Sequence, residues 1–198
     1  MTATAGQGPV LRADAARNRA KVLQVAREQL AAGDDSLQLN AIARLAGVGV
    51  GTVYRHFPNR HALVEALSAE RFRELVGEAQ AAAAAEDALS GLHHLLRFAL
   101  DRALDDAGFA AVLESATAAE AQTAAMKAEL DGAVADLLDR ARLDGVIRAG
   151  IAADDVRRLL CGIEHAVRSG DAGSDPDADA ERRELYLGIL LDGLRPPR

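Results

Sequence analysis

Thr52, Tyr54, Arg55 and His56 follow two glycines, Gly49 and Gly51, in a span that two turns of helix would cover. Phenol, guanidinium and imidazole are hydrogen-bonding groups suited to phosphate oxygens. The small residues and the hydroxyl before them let a helix sit deep in a DNA major groove. Other chemistry is poorly provided for. The chain has one cysteine, Cys161, which excludes an internal disulfide framework and a cysteine-only metal cage. His165 follows four residues later and can share a helix face with it. Two ligands with no third nearby do not make a metal site, and the pair reads as a buried thiol beside a hydrogen-bonded histidine in the dimer bundle. No GxSxG elbow, phosphate loop or HExxH helix is present, and the acids and histidines form no catalytic constellation. The reading is therefore not an enzyme, with no metal and no cofactor.

Charge is unevenly spread. From Arg12 to His61 eight cations face four carboxylates, a local +4, so an overall charge of -7 leaves -11 on the rest. A basic first third on an acidic body suits a phosphate backbone, because the local field matters more than the sum. A solvated basic helix face would carry the same charge, so charge alone does not decide between them.

The elements that must position these residues are helical. The chain of 198 residues holds 44 alanines and 27 leucines but only 6 aromatics, a composition of strong helix formers poor in strand formers. No apolar run approaches the roughly 20 residues of a membrane span. No secretory signal is visible in Met1–Val10, so a cytoplasmic protein is expected. Residues 1–13 read as a disordered Gly/Ala/Thr tail, after which Asp14 opens a helix with Val22, Leu23, Ala26 and Leu30 on one face. Gly33-Asp34-Asp35-Ser36 breaks it. Short helices follow at 39–46 and 50–56, joined by Gly47, which accepts the left-handed turn conformation. Pro58 stops the second, and Asn59 caps a helix from Arg60 to about Gln80. The boundary between domains is placed there, ahead of a five-alanine run that either extends the helix or frays into a linker. Further helices are expected at 87–105, after Gly108, up to Asp144, and at 154–169. A polar loop spans 170–179, with Asp175-Pro176 able to start the last helix.

The two short helices make a helix-turn-helix: Ala43 is small where they cross, and Ile42, Val48 and Val53 fill the space between them. The run IARLAGVGVGTVYRHFPNRHAL, Ile42 to Leu63, preceded by RNRAKVLQVAREQLA, closely resembles the DNA-binding domain of the tetracycline-repressor (TetR) family of bacterial transcription regulators. The resemblance covers residues 14–80, and AGVxxGTVYxHFP is its specific part. Gly49 stands where the family often has serine, Arg60 where it usually has lysine, and Asn40 where an acid is frequent.

The resemblance implies roles residue by residue. Tyr54 and His56 would contact phosphates, joined by Arg55. Thr52 and Gly49 would lie near base edges or phosphate. Arg44 would reach a phosphate or a guanine, and Arg60 would take the lysine's phosphate contact. Arg17 and Arg19, in a leading arm, would add phosphate or minor-groove contacts, with a solvated face as the alternative. The fold expected is all-α: an N-terminal three-helix DNA-binding domain at 14–80 and a C-terminal helical ligand-binding and dimerisation domain at 81–198. The partners implied are double-stranded DNA with a palindromic operator, a second copy of the chain, and a small-molecule effector.

The last two helices support the second copy independently. Val156, Leu159, Leu160, Ile163 and Val167 recur at heptad-like spacing, and the final helix is apolar on two sides, with Tyr186, Ile189, Leu190 and Leu194 on one and Leu187 and Leu191 on another; Leu159, Ile163, Val167, Tyr186, Ile189 and Leu190 are the interface residues expected. Such a helix needs cover beyond its own domain. Residues suited to an effector pocket are His93, Arg97, Phe98, Phe109, Leu113, Met126, Leu130 and His165. Plain core packing is the competing reading for the apolar members. The function expected is a homodimeric repressor released from its operator by the effector. The alternative is a helical protein-interaction regulator whose DNA-binding head is disused.

Overall fold

The structure, a computed structural model, describes residues 8–169 and 176–197. Among them are nine helices and no strand: α1 (Gly8–Ala31), α2 (Leu39–Leu45), α3 (Val50–His56), α4 (Arg60–Ala84), α5 (Ala88–Asp105), α6 (Ala107–Glu114), α7 (Ala121–Leu143), α8 (Ala153–Arg168) and α9 (Pro176–Leu194). The chain forms two compact units, Met1–Leu67 and Ser68–Arg198. The division falls inside α4, earlier than the boundary at 80 read from the alanine run.

α1 begins at Gly8, six residues before the expected start at Asp14, so residues 8–13 are helix rather than tail. Nothing between Gly8 and Gly33 breaks a helix: Pro9 falls in the first turn, where the N–H it lacks would have no helical acceptor. The part of the expected tail at 1–7 lies outside the described residues, as do 170–175 of the expected loop. The rest of that loop is helix, because α9 starts at Pro176.

In the first unit α1, α2 and α3 enclose Val22, Ala26, Ile42, Val53 and Phe57, all at most 1% exposed. α2 ends in a Schellman motif: the Val48 N–H donates to the Ala43 carbonyl at 3.0 Å and the Gly47 N–H to Arg44 at 3.2 Å. Gly47 has φ +63, which a residue with a Cβ adopts only at a cost. The opposite solution occurs at Leu37, whose φ is 47 although it carries a full side chain. That side chain is 2% exposed, so burial of an isobutyl group offsets the backbone strain.

The second unit packs Phe72 and Leu75 of α4 with Leu92, Leu100, Phe109 and Leu137. Its helix ends are closed by arginines from elsewhere in the chain. Arg140 of α7 donates to the carbonyls of Ala83, Ala85 and Glu86, which ends the alanine run as helix at Ala84. Arg168 does the same for Ala103 and Leu104 at the end of α5, and Arg157 for Leu113 and Glu114 at the end of α6. Each cation meets carbonyls that have no helical donor, at the negative end of the helix dipole. α4 and α5 approach so closely at Gly91 that a Cβ there would lie 2.8 Å from the Ala82 carbonyl oxygen.

Candidate nucleic-acid interface

α3 runs over the residues expected, Val50–His56, and its two faces are chemically distinct. Val53 is fully buried. Gly51, Tyr54 and Arg55 are exposed, with Gly49 exposed at the N-cap, and Thr52 and His56 are half-buried at the edges. Tyr54 is 44% exposed. Gly49 caps the helix through its backbone, its carbonyl accepting from the N–H groups of Thr52 at 2.8 Å and Val53 at 3.1 Å. No side-chain cap is present, a direct consequence of glycine in place of serine.

Two apolar residues on this side are exposed, one of them, Leu45, expected from the sequence to pack with Ile42, Ala43 and Ala46. Val50, at the start of α3, is 43% exposed and Leu45, at the end of α2, is 58% exposed. α2 is only seven residues long and buries Leu39, Ile42 and Ala43, which turns Leu45 away from the hairpin core. An exposed valine at the first position of such a helix is chemically suited to a thymine methyl group.

The basic residues around α3 are held in different ways. Arg44 is exposed in the last turn of α2. Arg17 and Arg19 lie within α1 rather than in an arm ahead of it. Arg17 pairs with Asp14 on the same helix, and the Arg19 guanidinium stands 5.2 Å from the centroid of the Phe57 ring. Arg60, expected to reach a phosphate, donates to the carbonyls of Ser36 at 3.1 Å and Asp35 at 2.8 Å. A short, exposed helix with a polar tip, seated on a buried hairpin of this geometry, is the arrangement by which a helix-turn-helix enters a groove.

Comparison with known proteins agrees. The profile of bacterial regulatory proteins of the tetR family matches residues 22–67. That of the C-terminal domain of SbtR-like transcriptional regulators matches residues 87–196, more than half of the chain. A TetR transcriptional regulator from Streptomyces coelicolor is 31% identical, with 91% of this chain and 99% of that one covered and a TM-score of 0.53. The chain belongs to the TetR family. Two more distant structures share the fold. One is FadR from Thermus thermophilus, a TetR-family transcriptional repressor in complex with lauroyl-CoA, at 20% identity, 91% and 96% coverage and a TM-score of 0.59. The other is RolR in complex with resorcinol, at 17% identity, 93% and 90% coverage and a TM-score of 0.62. No curated protein matches the chain in sequence.

The C-terminal domain of this TetR-family chain contains an apolar cavity of about 40 Å³, walled by residues that include Leu75, Leu96, Leu113, Leu130 and Val134, with Asp131 and Arg157 also lining it. Of the eight effector residues expected, Leu113 and Leu130 are there. Phe109 is fully buried against Phe72, ring centroids 6.0 Å apart, and Met126 is buried in the core. Phe98 lies under the Arg102 guanidinium at 5.2 Å. His93, Arg97 and His165 are exposed, and Arg97 pairs with Glu184 at 3.2 Å. The reason is the register of α5: Leu92, Leu95, Leu96 and Ala99 occupy the inner face, which turns His93 and Arg97 outward.

Five of the six dimer residues expected line one groove. Leu159, Ile163, Tyr186, Ile189 and Leu190 line one open groove of about 370 Å³ between α8 and α9. Leu159 is 46% and Ile189 61% exposed, apolar surface that neither helix covers. Val167 is half-buried and does not line that groove. Cys161 is half-buried, and burial pushes its thiol above the ordinary range, which leaves it a poor nucleophile. Among the described residues no three histidines, cysteines or acids are grouped to hold a metal ion, and no helix is long and apolar enough to cross a membrane.

Proposed function

We propose that the protein is a homodimeric transcriptional repressor that binds a palindromic operator through α3 of each subunit and leaves it when a small molecule occupies the C-terminal domain. The observation that carries this reading is the outward face of α3, where Thr52, Tyr54 and Arg55 accompany an exposed Val50 while Val53 alone of the helix is buried. Tyr54, Arg55 and His56 position the protein on phosphates, while Thr52 and Val50 read base edges. Arg44 adds a cation beside them. Arg60 serves mainly as a clamp within the head, and Arg17 and Arg19 as partners of Asp14 and Phe57.

The α8–α9 groove supports the second copy. Apolar surface at Leu159, Ile163 and Ile189 is hidden when two such faces meet across a two-fold axis. A dimer of this kind sets two recognition helices about 34–36 Å apart for successive major grooves, or further for a longer palindrome. The effector reading rests on the cavity and on α4, which starts in the DNA-binding unit at Arg60 and carries Leu75 into the cavity wall. A ligand works only by preferring the state that does not bind DNA, since equal affinity for both shifts nothing. Such a regulator acts in the bacterial cytoplasm, on the nucleoid.

Footprinting on a bound genomic fragment tests this. Two protected half-sites related by a dyad and lying on one face of the duplex are expected. Protection of a single half-site, or protection that spreads with no boundary, contradicts the dimeric reading.

A further inference from the structure

The leading turn of α3 is short of side chains. The first residues of a recognition helix are the ones that reach base edges, and here they are Val50, Gly51 and Thr52, with Gly49 as the cap before them. Both glycines are exposed, and a Cβ built on Gly51 would meet nothing within 4 Å, so the protein leaves that space open. Thr52 is half-buried, its hydroxyl oxygen 3.7 Å from where a Cβ on Gly49 would lie. Among residues 49–52 Val50 therefore carries the one exposed side chain, 43% open to solvent.

An isopropyl group neither donates nor accepts a hydrogen bond, so it cannot read the donor and acceptor pattern of a base pair. The major groove offers it one apolar feature, the methyl group at C5 of thymine. Cytosine methylated at C5 presents the same group in the same place. An exposed valine would also suit a protein surface, and charge decides between the two. No carboxylate occurs between Asp35 and Glu65, whereas Arg44, Arg55 and Arg60 all lie in that stretch. Arg44 and Arg55 are exposed in the last turns of α2 and α3. Cations without acids around the turn match a phosphate backbone.

We propose that Val50 is the specificity-determining residue of α3, and that it reads a C5-methyl group on one pyrimidine of each half-site, supplied by thymine or by 5-methylcytosine. This rests on the operator reading above and deepens it by naming the base feature that is read. Glycine on either side lets the backbone come close enough for the isopropyl group to meet the methyl. Methylation of a cytosine at that position then strengthens binding.

The probes are random-sequence duplex pools made with dTTP, or with dUTP, which lacks only the C5-methyl group. Full-length wild type and Val50→Ala each select from both. Wild type is expected to enrich a palindrome from the first pool, with a thymine in each half-site where Val50→Ala accepts any base. Fluorescence anisotropy then measures binding to that duplex with the one position changed. Deoxyuridine there is expected to weaken wild-type binding about fourfold per half-site, the worth of one buried methyl group, and to leave Val50→Ala unaffected. 5-Methylcytosine there, paired with guanine, is expected to bind wild type more tightly than cytosine does. A loss with deoxyuridine and no gain with 5-methylcytosine supports the contact and confines its source to thymine. Val50→Ala alters an exposed side chain, and its melting transition confirms that it folds.

Wild-type binding that ignores deoxyuridine at every thymine overturns the proposal. So does an equal loss in Val50→Ala, which assigns the methyl to another side chain such as Leu45 or Thr52. A palindrome enriched equally from both pools contradicts this proposal alone, whereas no enriched sequence from either contradicts the operator reading and this proposal with it.

Discussion

Arg60 donates from its guanidinium to the backbone carbonyl of Asp35 at 2.8 Å, across 25 residues of sequence. With the bond to Ser36 it fixes the two carbonyls that precede the strained, buried Leu37. The residue at the start of α4 therefore holds the α1–α2 turn, and with it the base on which α2 and α3 stand. Arg60→Ala is expected to lower the unfolding free energy by about 1 kcal/mol, in line with exposed charge-assisted bonds. Arg60→Lys keeps the charge but not the two-pronged geometry, so it should recover DNA affinity more than stability. Denaturant unfolding of both variants, set beside their DNA affinities, separates a clamp from a phosphate contact. Equal stability in all three proteins would remove the clamp.

Gly47 gives a cleaner test of the turn. A Cβ there meets nothing within 4 Å, so the cost of substitution is confined to the backbone at φ +63. Gly47→Ala should destabilise by about 1–2 kcal/mol, and Gly47→Asn by less, because asparagine tolerates the left-handed conformation better. Midpoints from urea unfolding give the ranking.

Dimerisation is tested at the α8–α9 groove. Ile189→Arg puts a charge on the most exposed apolar side chain lining it. Sedimentation equilibrium is expected to give the mass of a dimer for the wild type and of a monomer for the variant, with helicity unchanged. A dimer that survives Ile189→Arg and Ile163→Glu together would place the contact elsewhere.

Asp106 caps α6, accepting from the N–H groups of Gly108 at 2.8 Å and Phe109 at 3.1 Å, and pairs with Arg71. Asp106→Ala should cost about 1–2 kcal/mol, the upper part of the range for a lost cap. Asp106→Asn keeps the cap and should lose less. Thermal unfolding of the pair distinguishes the cap from the ion pair.

Two carboxylates near Arg157, Asp131 and Asp154, respond oppositely to pH. Asp131 has a raised pKa in the folded state because burial disfavours its charge. Its contribution to stability is full below the unfolded value and is lost as pH rises through the folded one. Asp154 is held below its ordinary value chiefly by the hydrogen bond from Arg157, so its contribution is present above the unfolded value and lost as pH falls through the folded one. Asp131→Asn should raise the melting temperature at pH 7 and bring no gain at pH 3. An unchanged melting temperature at pH 7 would contradict the raised value.

The helix-turn-helix was legible because its determinants are local. Gly47, Pro58 and Asn59 act within a few residues of where they stand, and Asn59 accepts from the Ala62 N–H as a cap should. Leu159, Ile163 and Ile189 were legible as a surface because a helix repeats its face. The rest depended on distant partners. Arg60 could not be seen to bond Asp35 and Ser36, nor Arg140 to stop the alanine helix at Ala84, because nothing in the spacing of either residue names a carbonyl on another element. The cavity depended on distant partners too: His93 and two phenylalanines drew attention on α5 and α6, while half of the residues walling the cavity are leucines, whose convergence only the packing of α4 to α8 defines.

The most direct test of the account is selection of fragmented genomic DNA from the source organism on the purified protein at about 0.15 M salt, where nonspecific electrostatic binding is weak. Tyr54→Ala runs alongside. The account predicts an enriched palindrome with the wild type and its loss with Tyr54→Ala, whose affinity falls for operator and other DNA alike. No enriched sequence, or the same palindrome enriched equally by Tyr54→Ala, would contradict it.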